Sequence, residues 1–256
     1  MPALLINTLD ANATYGFVLT EAPSWLDLPP QTTPSQPVMG QQGSIVTAAP
    51  IEASRKLMLS GFVTSPSVAA TRANIDALKL ALMASLVTLT FQDNATRYIT
   101  VGLDALTVAW SGPSLIERRV RVSIQMTAFD PYYYDINATT IAAAATMALG
   151  TGLVRPTITV TATGANVGPI AIVLRKNDNT LVGSLSITVG LVIADVLIVD
   201  MNARTIKKNG VSIIGNALVG DFWAADPANH IQAGVGPKVD AVTNATVSVA
   251  YNKSWR

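Results

Sequence analysis

His230 is the only histidine in the chain, and there is no cysteine. Imidazole is the one side chain that ordinarily exchanges protons near neutral pH, so histidine acid–base chemistry has a single candidate. It stands in Asp226-Pro227-Ala228-Asn229-His230, a run of turn-forming residues. A Ser–His–Asp arrangement would want a nucleophile elbow, and no Gly-x-Ser-x-Gly occurs. Without thiolates, Cys-ligated zinc and iron–sulfur sites are excluded, and one imidazole excludes a multi-histidine metal site. Gly150/Gly152 and Gly234/Gly236 lack the third glycine of a dinucleotide loop, and no Gly-Lys-Ser/Thr phosphate loop exists. The acidic residues are scattered singly, with neither a readable carboxylate pair nor an Asp-x-Asp-x-Asp-Gly calcium loop. The expectation is a protein that is not an enzyme and carries no cofactor or metal.

Two sets of side chains remain that act by contact. Arg118, Arg119 and Arg121 form the one basic cluster, and on a strand Arg119 and Arg121 share a face while Arg118 points away. They are candidates for an interface or a channel lining. Trp223 is the candidate for stacking on a sugar ring, although Phe222-Trp223 beside Ala224-Ala225 reads more readily as packing.

The elements that must position these residues are mostly strands. Residues 119–128 alternate between Arg119, Arg121, Ser123, Gln125, Thr127 and Val120, Val122, Ile124, Met126, Ala128, the pattern of a strand with one wet face. Val87–Phe91 and Arg97–Val101 behave alike. Further strands are expected at Thr157–Thr163, Ile170–Lys176, Ser184–Val189, Val196–Val199, Thr205–Lys207 and Thr246–Tyr251, separated by Gly, Asn and Asp. Asn209-Gly210 is the sharpest local signal, because a type I′ turn needs positive φ at both central residues. Lys207-Lys208 and Val211 to Ile214 are the hairpin arms. One segment has helical period: Ile75, Leu78, Leu82 and Leu86 predict a helix over about 66–85, capped by Ser65 with Pro66 in first position.

Pro29, Pro30, Pro34 and Pro37 crowd one stretch, so residues 28–43 are expected as an irregular loop, with an arm toward a neighbouring subunit as the functional reading. Residues 136–154 read as an alanine–threonine linker. The chain therefore divides into 1–150 and 151–256, with net charges of −2 and +3. Neither half has the balance of a nucleic-acid-binding domain. Charged residues make up 13% of the chain against about 25% in an ordinary globular domain. No membrane span is expected, since the uncharged 136–154 stretch is broken by Asn137, Thr139, Thr140 and glycines. No signal peptide is expected either: there is no basic n-region, and the run Leu4-Leu5-Ile6 stops at Asn7.

The order of three stretches resembles the distal tail protein family of siphovirus-type bacteriophages, the adaptor between tail and baseplate. The first is Leu57-Met58-Leu59-Ser60-Gly61-Phe62-Val63, the Ile75-Asp76-Ala77-Leu78 helix, Val87 to Asp93 and Arg97-Tyr98-Ile99. The second is the strand ending Met126-Thr127-Ala128-Phe129-Asp130-Pro131-Tyr132-Tyr133-Tyr134, and the third is Asp195 to Asp200 with Arg204-Thr205-Ile206 and Asn209-Gly210. The family's late Pro-Gly-Asn turn is replaced here by Asp226-Pro227-Ala228-Asn229-His230.

The resemblance implies an all-β fold with one helix. The first domain would be a tail-tube-like β-sandwich or split barrel, the second a galectin-like β-sandwich. It implies a homohexameric ring at the virion tail tip, assembled in the bacterial host cytoplasm, between the tail tube protein and the tail-associated hub protein. DNA would only pass through the lumen, and receptor-binding proteins are further partners. Tyr132, Tyr133 and Tyr134 join the prolines and arginines as candidate interface residues. The alternatives are a carbohydrate-binding module at the tail tip and another minor tail subunit. A ring repeats one heterologous contact until it closes, and pairing sheet edges between neighbours satisfies backbone groups left open in a monomer. Arg119 and Arg121 are expected to be opposed by other groups, because a lumen that passes DNA must not hold it.

Overall fold

The computed structural model describes residues 4–21, 30–37, 44–46, 51–91, 94–110, 118–165, 169–176, 178–213, 218–227, 238–239 and 244–256. The chain forms two compact units, Met1–Tyr133 together with Arg256, and Tyr134–Trp255. Both are built from antiparallel strands.

In the first unit the sheet order is Leu9–Asp10, Leu4–Ile6, Val87–Phe91, Arg97–Ala109, Arg119–Ala128, Arg55–Thr64 and Phe17–Glu21. The strand Arg119–Ala128 has the bounds its alternation predicts, with Val120, Val122, Ile124 and Met126 buried. Its neighbour Arg97–Ala109 runs well past the expected Val101. Residues 99–101 pair with Val87–Phe91, a register shift falls between Leu103 and Ala105, and the remainder pairs with Arg119–Ala128. The change of partner falls between Val101 and Gly102, and the bulge just beyond it interrupts the period-two pattern and obscures the alternation.

The helix spans Val68–Leu82, shorter than the expected 66–85. Its N-cap is Ser67, whose hydroxyl accepts from Ala70 N, whereas Ser65 Oγ accepts from Asn74 Nδ2 at 2.9 Å. Pro66 therefore lies before the helix. Thr71, Ile75, Leu78 and Leu82 are buried, and each large apolar side chain so covered contributes about 1.5–3 kcal/mol. Leu86 lies beyond the helix end and is 56% exposed, so it does not extend the stripe. A second helix, Ala11–Tyr15, is too short to leave a helical period in the sequence. Asp10 caps it by accepting from Asn12 N and Ala13 N, and Gly16 ends it at φ 63°.

The proline-rich stretch also departs from the sequence reading. Within its described part Gln31–Thr32 pairs with Ile51–Glu52, and Ser35–Pro37 pairs with Ser44–Val46. Two- and three-residue pairings need few donors, and Pro37 sits at a strand end, where its missing N–H is tolerated. Pro29 lies outside the described residues.

The second unit is a β-sandwich. One sheet has the order Thr139–Ala142, Ala245–Tyr251, Thr157–Ala162, Val196–Asp200, Thr205–Lys208, Val211–Ser212. The other runs Leu218–Gly220, Leu181–Thr188, Pro169–Arg175, Lys238–Val239. Ile158, Val160, Leu197, Val199 and Val249 from the first sheet share one core with Ile170, Ile172, Leu174, Leu185 and Ile187 from the second. The seam between units falls at Tyr133/Tyr134 and not near residue 150. Residues 136–154 are part of the sandwich. Thr139–Ala142 is an edge strand, Met147 is fully buried, Tyr251 OH accepts from Ala148 N, and Val154 bridges Ala225. Threonine and alanine have no strong period, so an edge strand made of them reads like a linker. The Asn209-Gly210 turn has φ of 49° and 82°, as its sequence requires.

Candidate assembly surface

The wet face predicted for Arg119–Ala128 exists at three of its five positions, while Ser123 is half-buried and Thr127 is buried. Arg119, Arg121 and Gln125 are exposed, and the facing positions of Arg55–Thr64 place Thr64 opposite Arg119, Phe62 opposite Arg121 and Met58 opposite Gln125. The Arg119 guanidinium lies 3.8 Å from the centre of the Phe62 ring. A planar cation over an aromatic face is held by the ring quadrupole, which orients Arg119 along the sheet instead of leaving it free. Arg118 is exposed just before the strand, and its carbonyl accepts from Ser65 N at 3.1 Å. That bond ties the helix entry to the start of the strand. The three arginines thus do different things, as the strand period predicted for Arg118 against the other two.

At the far end of this face is a network that sequence reading missed. Lys56 Nζ lies 3.0 Å from Asp104 Oδ2 and 2.6 Å from Thr127 Oγ1, and Thr127 Oγ1 donates to Asp104 Oδ2 at 2.6 Å. Those hydrogen bonds, the Thr127 hydroxyl first and Lys56 next, hold the Asp104 carboxyl below its usual range. Asp104 occupies the bulge, so nothing in the alternation marked it. The face therefore presents Lys56 paired, Arg119 stacked and Arg121 exposed. The exposed apolar side chains Met58 and Phe129 belong to the same region, Phe129 lying against Gly102.

The tyrosines are not on this surface. Tyr132 and Tyr133 are 6% and 4% exposed, and only Tyr134 is half-buried. Burial, with the neighbouring Glu52 carboxylate, pushes the Tyr132 phenol above its usual range. Glu52 Oε1 also lies 2.9 Å from Arg256 Nε. Tyr133 lies beneath Arg55, whose guanidinium is 5.1 Å from the ring centre. Tyr132 and Tyr133 thus serve the unit's own interior, and their rings are not offered to a partner. Of the prolines, Pro30 is exposed and Pro34 half-buried.

Trp223 does not present the exposed ring expected of a sugar-stacking residue. It is 8% exposed and belongs to the sandwich core, seated over Gly183. Stacking on a sugar needs an exposed ring face, which this residue does not have. His230 lies outside the described residues. Among those described, no group of three or more metal-ligating side chains is found, and no helix is long and apolar enough to cross a membrane.

A second polar network braces the predicted hairpin. Asn209 Oδ1 accepts from Val196 N at 2.8 Å and its Nδ2 donates to Asp195 Oδ1 at 2.7 Å. Asp195 Oδ2 accepts from Val192 N at 2.9 Å and pairs with Lys208 Nζ at 2.9 Å. The Val192 amide, Lys208 and Asn209 together pull the Asp195 carboxyl down to about 2. The sequence marked the turn through Asn209-Gly210, but the partnership with Asp195 needed the fold.

No family model and no curated protein matches the chain. Solved structures do. The two-unit antiparallel architecture is a fold found in the hub and baseplate proteins of bacteriophage tails. The Dit protein of phage SPP1, described as a paradigm of the hub adsorption apparatus in phages infecting Gram-positive hosts, matches over 100% of both chains with a TM-score of 0.78 and 17% identity. A chain of the phage p2 baseplate in its activated conformation with Sr matches over 98% of both chains, with a TM-score of 0.50 and 9% identity. The resemblance first read from three stretches of sequence is met by a common fold.

Proposed function

We propose that this chain is a structural virion protein of a siphovirus-type phage, the distal tail protein that joins the tail tube to the baseplate hub. The observation that carries the reading is the whole-length fold match to SPP1 Dit. In this role the chain forms a homohexameric ring, binds the tail tube protein on one side and the tail-associated hub protein on the other, and leaves a lumen through which DNA passes. Its place is the tail tip of the virion, reached by assembly in the bacterial cytoplasm. It works by shape and contact and catalyses nothing.

Several features support the reading. Phe17–Glu21 and Leu9–Asp10 end the first unit's sheet with unpaired edges among the described residues. Such edges template pairing with another chain. On the face of Arg119–Ala128 Asp104 offsets the charge of Lys56, which leaves Arg119 and Arg121 as positive charges set among Ser123, Gln125 and Thr127. A lining of that kind lets a polyanion slide without retaining it. The second, galectin-like sandwich serves here as a docking body for other tail proteins, including receptor-binding proteins. Burial of Trp223 removes the residue on which the carbohydrate-binding alternative rested.

The test is size. Gel filtration with light scattering, alone and mixed with the tube and hub proteins of the same phage, should give a ring-sized oligomer, seen as rings by electron microscopy. A strict monomer under all of these conditions overturns the proposal.

A further inference from the structure

We propose that Asn209 is a self-modification site, an asparagine that deamidates through attack by its own following backbone nitrogen, and that the hydrogen bonds to Asp195 and Val196 hold that reaction in check. Asn209-Gly210 is the only Asn-Gly pair in the chain. Glycine has no Cβ to shield its amide, so Gly210 N can reach the Asn209 side chain more easily than any other following residue would allow. In the reaction Gly210 N bonds to Asn209 Cγ, the Gly210 amide proton passes to the leaving nitrogen, and ammonia departs, leaving a five-membered succinimide. Water then adds to either carbonyl, giving aspartate or isoaspartate at 209. Both residues are exposed, so water reaches the ring.

The fold opposes the first step. Oδ1 takes the Val196 amide hydrogen at 2.8 Å and Nδ2 gives one to Asp195 at 2.7 Å. Those partners fix the orientation of the amide, because a backbone N–H can only donate and a carboxylate only accept. Both point the side chain toward residues 195–196, so swinging Cγ onto Gly210 N breaks both bonds. Modification would also be costly to the hairpin. The new acid would replace a donor to Asp195 with a second negative charge at the same short range, and Lys208 already balances Asp195 itself.

The experiment follows conversion at 209 by peptide mapping of the full chain aged at mildly alkaline pH, in buffer and in urea. Asn209 should convert first among the asparagines, and about tenfold or more slowly in buffer than in urea, from the two bonds that must open. Asp195→Ala should accelerate it in buffer toward the urea rate. In parallel, Asn209→Asp should lower the unfolding midpoint and Asp195→Asn should restore part of it in the double variant. Equal rates in buffer and urea, no conversion at 209 in urea, or an Asp195→Ala rate unchanged in a folded variant would each overturn the proposal. If Asp195→Ala does not fold, the buffer-to-urea ratio of the unaltered chain decides alone.

Discussion

Gly183 and Trp223 are a matched pair whose coupling can be measured. A Cβ placed on Gly183 would lie 2.9 Å from Trp223 Cβ and Cγ and 3.0 Å from Cδ1, closer than carbon atoms pack. The indole is in the sandwich core and has little room to retreat. Gly183→Ala should therefore destabilise the chain by about 1–3 kcal/mol, the cost of one methyl too many in a packed site. Trp223→Ala empties the site and should cost about 3–5 kcal/mol. In that background the clash is gone, and alanine outperforms glycine within a strand by about 0.5–1 kcal/mol. Gly183→Ala should thus change sign, from destabilising in the parent to stabilising beside Trp223→Ala. The assay is urea unfolding followed by far-ultraviolet circular dichroism on the four members of the double-mutant cycle. Trp223→Phe is a useful control. The indole Nε1 is buried with no hydrogen-bond partner among the described residues, so removing it relieves an unmet donor, and the loss should fall well below that of Trp223→Ala. If Gly183→Ala costs the same in both backgrounds within about 0.5 kcal/mol, the two residues do not share a site and the packing argument fails.

Other outcomes follow from single contacts. Ser67→Ala should cost about 0.5–2 kcal/mol in thermal unfolding through loss of the helix cap, and more than Ser65→Ala, whose hydroxyl only accepts from Asn74; the reverse order would move the cap back to residue 65. Asp195 has a depressed folded-state pKa, so its contribution is present above the unfolded carboxylate value of about 3.9 and is lost as pH falls toward about 2. An acid titration should accordingly show the stability gap between parent and Asp195→Asn closing across that window, and a gap that persists unchanged at the acid end would refute the assignment. Gly210→Ala, at φ 82°, should destabilise by about 1 kcal/mol or more in chemical denaturation, since alanine does not tolerate left-handed backbone.

Residue type and period were enough for the all-β class, for the bounds of Arg119–Ala128 and Val87–Phe91, and for the I′ turn at Asn209-Gly210. Each rests on rules acting within a few residues: alternating faces of a strand, or positive φ that only some side chains accept. The same local rules misplaced the helix cap by two residues, because the hydroxyl oxygens of Ser65 and Ser67 are equally good acceptors for the free N–H groups of a helix start. Which one caps depends on where the chain leaves the strand Arg55–Thr64, and there the Arg118 carbonyl holds Ser65 N. Tertiary structure also decided what no spacing reveals. It let one strand change partners after Val101 and bulge at Asp104, and it drew residues 136–154 into the sandwich instead of leaving them as a linker. It buried Tyr132 and Tyr133 and closed Trp223 over Gly183. It also brought Asp195 to Asn209 and Lys56 to Asp104, residues far apart along the chain. Burial and long-range pairing are properties of the closed packing, set by which faces meet, and a linear period carries no record of that.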